Sequence, residues 1–189
     1  MVRLPLYAVA VLYAGLIVWL LPFVLTGWSK KQPQKRDPRW RWGIALEVAA
    51  YLLLWFGRLG SAATVAAVPA LRIVAGVFFF ALASLLSWTA TRSLGRFLRV
   101  EAALDTDHEL IRSGPYRIVR HPIYASMLCL FLGMAAIVAT PLSFAAALAL
   151  FLAGTEIRVR IEDALLAGHF GEEFRESQRT TRAYIPLLR

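Results

Sequence analysis

The stretch of the chain that decides its fold is PIYASMLCLFLGMAAIVATPLSFAAALALFLAGT, residues 122–155. It holds 34 residues without a charged side chain, whereas one helix needs only about 20 apolar residues to cross a bilayer. Thr140-Pro141 lies near its middle, and a proline disfavours helical conformation in the residue before it. We therefore predict a helical hairpin, with one span from Pro122 to about Ala139 and the next from about Leu142.

Three more apolar segments precede the hairpin, at Leu4–Gly27, Trp42–Gly57 and Leu71–Thr91. The first is longer than a typical signal-peptide core and lacks an Ala-x-Ala cleavage site, so we interpret it as a retained span. Hydrophobic residues make up 59% of the 189-residue chain. We predict an all-α integral membrane protein of about five transmembrane helices. It forms one domain over residues 1–189, with three spans in residues 1–91 and the hairpin in residues 92–189.

The basic residues predict the orientation of these spans. The formal net charge is +9, and of the 21 Lys and Arg residues only Arg3, Arg58 and Arg72 fall on one side of the predicted bilayer. By the positive-inside rule, the N-terminus is outside, and the other loops and the C-terminus are cytoplasmic. No basic face carries interleaved stacking aromatics, so we expect no nucleic-acid partner. Cys129 is the single cysteine, which excludes an intrachain disulfide and a cysteine-based metal site.

A polar string leads into the first arm of the hairpin. It runs from His108 to Tyr116 and ends in Arg120-His121-Pro122-Ile123-Tyr124. Pro122 suits the first turn of a helix, which places His121 at the N-cap. Free amides and the helix dipole there favour an anionic group. The alternative is a positive-inside loop with an interfacial tyrosine.

A second polar string, Glu156 to Asp163, continues the last span. Arg158 and Glu162 are four residues apart and share one helix face. The alternative is a solvated surface pair, but charges next to the bilayer are functional candidates by default. Glu47, inside the second span, is interpreted as a satisfied interfacial carboxylate rather than a ligand group. No metal-binding motif such as H-E-x-x-H occurs, so no metal is expected.

Taken together, these strings resemble the isoprenylcysteine carboxyl methyltransferases, within the wider group of phospholipid and isoprenoid membrane methyltransferases. The resemblance covers roughly residues 94–186. It is carried by His108-x-Leu110-x-x-x-Gly114-Pro115-Tyr116-x-x-x-Arg120-His121-Pro122-x-Tyr124, by Arg158-x-x-x-Glu162-Asp163, and by Phe170-Gly171-Glu172-Glu173-Phe174. The sequence departs from the family at Asp163, where a second Glu is usual, and this puts a direct role for Asp163 in doubt.

The resemblance implies a methyltransferase that uses S-adenosyl-L-methionine on the cytoplasmic side. Its site is formed by the loop before the fourth span and the C-terminal helices. Arg158 would be the catalytic residue that faces the substrate, a lipid-linked or isoprenoid compound entering from the bilayer. The residues implied in cofactor binding are Glu101, His108, Glu109, Leu110, Ile111, Tyr116, His121, Pro122, Ile123, Tyr124 and Glu162.

Within this resemblance we expect Glu162 to pair with the cofactor's amino group. The backbone amides near His121, with Arg120, are candidates to hold its carboxylate. A carboxylate acceptor needs no general base, whereas an amine acceptor does, with His121 or Glu109 as candidates. The alternatives are therefore a phospholipid amine methyltransferase, an NADPH-dependent sterol-type reductase, and a non-enzymatic scaffold or transporter.

Overall fold

The computed structural model describes residues 4–28, 35–57, 68–104 and 109–186. Within these ranges the chain forms six α-helices, two short 3₁₀ turns and one two-residue β-ladder. The helices are α1 (Leu6–Thr26), α2 (Trp40–Phe56), α3 (Ala70–Leu94), α4 (Pro122–Val138), α5 (Pro141–Phe170) and α6 (Glu172–Thr180). The antiparallel strands are β1 (Lys35–Arg36) and β2 (Ala103–Leu104), with Lys35 opposite Leu104.

The predicted break in the long apolar stretch is confirmed at Thr140. Its hydroxyl accepts the backbone N–H of Ser143 at 3.2 Å, and the Ser143 hydroxyl accepts the backbone N–H of Thr140 at 3.0 Å. This reciprocal cap satisfies two helix-end donors, and Pro141 fills the first helical position, where it costs no hydrogen bond. Helix α5 then continues as one helix through the predicted charged extension.

Three helices are long and apolar enough to cross a membrane: α1, α3 with its 3₁₀ extension to Phe97, and α5. Helices α2 and α4 are also apolar but have 17 residues each. A helix of that length rises about 25 Å, slightly less than a typical hydrocarbon core. The protein is an integral membrane protein of helical architecture, while the count of five spans stays a prediction.

Helix α4 packs mainly on α3, α5 mainly on α2, and α1 mainly on α3. Large rings fill the space between α4 and α5, where Phe131 and Phe151 are fully buried and stack with centroids 4.9 Å apart. Tyr51 of α2 meets both rings edge-on. The outer faces of the bundle are apolar, as in Leu6 and Val24 of α1, which are 85% and 72% exposed. Such faces suit contact with lipid.

The α3–α4 crossing depends on two glycines. A Cβ added at Gly133 would lie 2.7 Å from the Phe80 ring and 3.2 Å from the carbonyl oxygen of Gly76. One added at Gly76 would meet Ile137 at 2.8 Å. Small residues at such crossings let helix backbones approach closely in a membrane. The crossing holds α4, and hence the start of α4, in place against α3.

We expect Gly133→Ala to lower the thermal midpoint of the detergent-purified protein, because overpacking costs about 1–3 kcal/mol. The matched control is Gly168→Ala on α5, where no atom lies within 4 Å of the added Cβ. This control should leave the midpoint unchanged or raise it slightly, because alanine favours helix over glycine. An equal effect of the two substitutions in a melting experiment would contradict the proposed crossing.

Candidate functional site

The hairpin brings the start of α4 against the middle of α5. His121 is the N-cap of α4, as predicted, and it is 6% exposed. Its Nε2 lies 2.8 Å from Oδ1 of Asp163, and its Nδ1 lies 3.3 Å from Oε2 of Glu162. Burial by itself disfavours the charged ring. The hydrogen bonds to Asp163 and Glu162 outweigh that effect and raise the pKa of His121 to about 9. His121 is therefore a cation at neutral pH, held between two carboxylates.

Tyr124, one turn into α4, links the two predicted residues of α5. Its hydroxyl donates a hydrogen bond to Oε1 of Glu162. Its ring lies beneath the guanidinium of Arg158, with Cζ 4.8 Å from the ring centroid, a cation–π contact. Arg158 and Glu162 are thus joined through Tyr124. Glu162 uses one oxygen for Tyr124 and the other for His121.

Arg158 has a counter-charge that the sequence did not assign to it. Its Nη1 lies 2.8 Å from Oε2 of Glu47 on α2, and its Nη2 donates to the carbonyl oxygen of Val100 at 3.1 Å. Thr155 donates to the other oxygen of Glu47 at 3.0 Å. Glu47 is 3% exposed and Arg158 is 7% exposed. Glu47 is therefore satisfied, as expected, but by a buried ion pair.

The chain after α6 closes one side of this site. Val119 and Arg182 form a parallel bridge. The backbone amides of Arg120 and His121 donate to the carbonyl oxygens of Arg182 and Ala183 at 2.8 and 2.7 Å. The expectation that these two amides hold a ligand carboxylate is therefore wrong, because the C-terminal segment occupies them.

The Arg120 side chain is also engaged within the protein. Its Nη2 pairs with Oδ2 of Asp163 at 2.9 Å, and its Nη1 donates to the carbonyl oxygen of Thr181. The amides that stay without an intrahelical acceptor are those of the first helical turn, at Ile123 and Tyr124. Asp163 supports Arg120 and His121 and does not line the cavity described next.

A cavity opens between the 3₁₀ extension of α3, the start of α4 and the middle of α5. Apolar side chains that the sequence did not single out form part of its wall, among them Leu94, Phe97 and Leu165. Leu94 and Leu165 lie on helices, but only tertiary packing brings them together. Seven of the predicted site residues line the cavity: Glu101, Tyr116, His121, Ile123, Tyr124, Arg158 and Glu162.

Three further predicted residues, Glu109, Leu110 and Ile111, line an adjoining cavity. Tyr116 borders both cavities, and Phe174 of α6 closes the second one. Phe174 is 1% exposed, so α6 covers the site with this ring, as its aromatic spacing predicted. The remaining predicted residues are Pro122, which is buried beside the cavities without lining them, and His108, which lies outside the described residues.

Tyr116 contributes a neutral hydroxyl to the shared wall. It lies in the 3₁₀ turn Gly114–Arg117, where Gly114 takes a positive φ of 57°. Burial and the nearby Glu162 carboxylate raise the pKa of the Tyr116 phenol above its usual value. At neutral pH it therefore keeps its proton. Within the described ranges, no three His, Cys, Asp or Glu side chains lie close enough to hold a metal ion.

Comparison with known proteins assigns this arrangement to a family. Residues 71–173, more than half of the chain, match the phospholipid methyltransferase family. The chain belongs to this family. The match takes in α3, α4, all of α5 and the first residues of α6, and thus nearly every residue that lines the two cavities.

Individual relatives are more distant. A "Probable protein-S-isoprenylcysteine O-methyltransferase" of Oryza sativa subsp. indica is 29% identical over 100 residues, which cover 53% of this chain and 51% of the rice protein. A rice protein of the same name, from subsp. japonica, matches equally. The "Cobalt-zinc-cadmium resistance protein CzcN" of Cupriavidus metallidurans is 40% identical over 83 residues, 43% of this chain and 38% of that protein. The chain spans about half the length of the rice relatives, and the predicted family resemblance is confirmed.

The paired His121 predicts a pH dependence of stability. Its pKa is raised from 6.5 to about 9, so its contribution is full below about pH 6.5 and is lost as the pH rises through about 9. We expect the midpoint difference between wild type and His121→Gln to be largest near pH 6 and to shrink towards pH 10. Melting curves across this range check it. His169→Gln, whose parent ring packs on Phe170, is the control. A constant difference would contradict the cationic assignment.

Proposed function

We propose that this member of the family is an S-adenosyl-L-methionine-dependent methyltransferase that acts on the carboxylate of a lipid-linked acceptor. One observation carries the proposal: a carboxylate, helix-end amides and an arginine converge on one cavity at the charged end of the apolar bundle. Family membership supports methyl transfer. The nature of the acceptor and the use of this cofactor are inferences from the donor set.

The residues of the cavity fit the chemical groups of the cofactor. A carboxylate has about four acceptor sites, and Glu162 uses two of them on Tyr124 and His121. The others are available for an ammonium group. The first-turn amides of Ile123 and Tyr124 suit a carboxylate at a helix N-terminus. Apolar walls such as Leu94 and Phe97 suit the flat, less polar part of a nucleoside.

When bound, the cofactor supplies an activated methyl group. The chain itself would then provide orientation and exclusion of water. Arg158 would direct a carboxylate acceptor with the N–H groups that Glu47 and Val100 leave free, and its planar guanidinium suits that partner. A carboxylate needs no general base. No side chain is therefore required to remove a proton in this proposal.

The charge state of His121 favours this acceptor over an amine. An amine methyltransferase needs a proton acceptor, and the two sequence candidates were His121 and Glu109. With a pKa near 9, His121 is protonated at neutral pH and is a poor base. Glu109 is exposed and pairs with Arg96 at 2.8 Å. A phospholipid amine nevertheless stays the second candidate, because the family's own description names phospholipid methylation.

A second, apolar cavity of about 400 Å³ supports a lipid-linked acceptor. It lies among α1, α2, α3 and α4, and Tyr51 and Trp19 form part of its wall. Their polar tips are taken, since Tyr51 donates to the carbonyl oxygen of Met127 at 3.0 Å and Trp19 donates to Ser126 at 3.1 Å. The wall therefore offers apolar ring faces. Such a surface suits a hydrocarbon chain that enters from the bilayer.

We further propose that the site faces the cytoplasm. Eighteen of the 21 basic residues fall on its side of the predicted bilayer, and the positive-inside rule assigns that side to the cytoplasm. The chain would then act as the single domain expected from its sequence, with three N-terminal spans and a cofactor-binding C-terminal half.

S-adenosylhomocysteine is expected to raise the thermal midpoint of the purified protein, and NADPH is expected to leave it unchanged. Glu162→Gln should abolish the shift, because the amide loses the charge that pairs with an ammonium group. Glu172→Gln, at the exposed start of α6, is the control and should keep it. An undiminished shift in Glu162→Gln would remove Glu162 from cofactor binding, and stabilisation by NADPH instead would favour a reductase.

Arg158→Lys is expected to lower turnover at least about tenfold while it leaves S-adenosylhomocysteine affinity within about twofold. Lysine keeps a positive charge for Glu47 but lacks the planar fork. The assay incubates the purified protein with methyl-labelled cofactor and membrane lipid extract, and measures label released as methanol by base. Base-labile label indicates an ester. Stable label on lipid would shift the proposal to an amine acceptor, and wild-type turnover would remove Arg158 from the site.

A further inference from the structure

Glu47 is a buried carboxylate outside the family-matched segment and outside both polar cavities. It projects from α2 towards α5, and the proposed reaction has so far given it no task. A carboxylate at 3% exposure in an apolar bundle is costly unless its charge is compensated. Its partner, Arg158, is the residue proposed to face the acceptor. The inference below rests on that proposed function.

The contact between α2 and α5 fixes this carboxylate. A Cβ added at Gly154 would lie 2.6 Å from the carbonyl oxygen of Gly43. One added at Gly43 would lie 2.7 Å from the carbonyl oxygen of Gly154 and would collide with the Arg158 side chain. Gly43 precedes Glu47 by four residues, and Gly154 precedes Arg158 by four. The two charged side chains therefore lie one helical turn beyond the point where the backbones touch.

Both oxygens of Glu47 are used within this contact. Oε1 accepts from Thr155 at 3.0 Å and Oε2 pairs with Arg158 Nη1 at 2.8 Å. Val100 takes a hydrogen bond from Nη2, and the Tyr124 ring supports the guanidinium face. The guanidinium is thus held on three sides. Its positive charge is also largely balanced by Glu47.

We propose that Glu47 is a positioning residue for methyl transfer: it holds the guanidinium of Arg158 and moderates the charge that the acceptor's carboxylate meets. A carboxylate loses its negative charge as it becomes an ester. A fully cationic arginine would therefore stabilise the unreacted acceptor more than the transition state. Compensation by Glu47 keeps the direction of the contact and weakens this unproductive hold.

Two substitutions separate the position of Glu47 from its charge. Glu47→Gln keeps the shape and the hydrogen-bonding oxygen but removes the charge. We expect kcat to fall about tenfold without a rise in the acceptor KM, since binding is not weakened. Glu47→Asp keeps the charge but is one methylene shorter, and cannot reach both Thr155 and Arg158. It should raise the acceptor KM at least about threefold, because Arg158 is no longer held in place.

The assay uses the purified full chain, methyl-labelled S-adenosyl-L-methionine and N-acetyl-S-farnesylcysteine as the carboxylate probe. Glu156→Gln is the matched control, because Glu156 pairs with Arg160 Nε at the same 2.8 Å on the same helix, with Arg160 exposed. The control should keep wild-type kcat and KM. S-adenosylhomocysteine affinity should stay within about twofold in all variants, since Glu47 lies outside both polar cavities.

A stability measurement tests the same link without turnover. Arg158→Gln leaves Glu47 buried and unpaired, so its thermal midpoint should fall by about 5 °C or more. Adding Glu47→Gln removes the orphaned charge and should recover much of that loss. In the Arg158→Gln background, Glu47→Gln should also have no further effect on turnover, because Glu47 acts through Arg158.

The outcomes distinguish this inference from the function on which it rests. If wild type forms no base-labile product from the probe, the carboxylate acceptor and the inference both fail. If wild type forms it and both Glu47 variants match Glu156→Gln in kcat and KM, the inference alone fails. Additive losses in the double variant, or no recovery of its midpoint, would likewise overturn it.

Discussion

The arms of the α4–α5 hairpin constrain everything else in the site. Thr140 lies eighteen positions after Pro122 and eighteen before Arg158. Both arms rise about 1.5 Å per residue, so the start of α4 and the Arg158 turn of α5 lie at the same height. The capped turn at Thr140 sets this register. Because α5 has 30 residues and α4 has 17, the charged half of α5 passes beside the His121 corner and continues beyond it.

Charge compensation makes this corner tolerable at the end of an apolar bundle. Each buried cation faces a carboxylate: Arg158 faces Glu47, Arg120 faces Asp163, and His121 lies between Asp163 and Glu162. Buried charges without such partners cost several kcal/mol each. The pairs connect α2, α4 and α5, so the polar site also joins helices that otherwise meet through apolar side chains.

The sequence predicted those features that local chemistry controls. The break at Thr140-Pro141, the N-cap position of His121 and the cavity-facing placement of Tyr124 and Glu162 all follow from short patterns of residues. Features that depend on distant packing were not predicted. Glu47 was recognisable as a carboxylate that needs a partner, but Arg158 could be chosen only once α2 and α5 crossed at their glycines. The bonds from Arg120 and His121 to Arg182 and Ala183 join segments about 60 residues apart, and no local signal marks them.

The central claim is that the cavity between Tyr116 and Glu162 holds the methyl donor. An experimental structure of the purified protein with S-adenosylhomocysteine tests it most directly. The account predicts density for the ligand in that cavity, with its amino group beside Glu162 and its carboxylate at the start of α4. Density at another place on the protein, with this cavity unchanged, would contradict it.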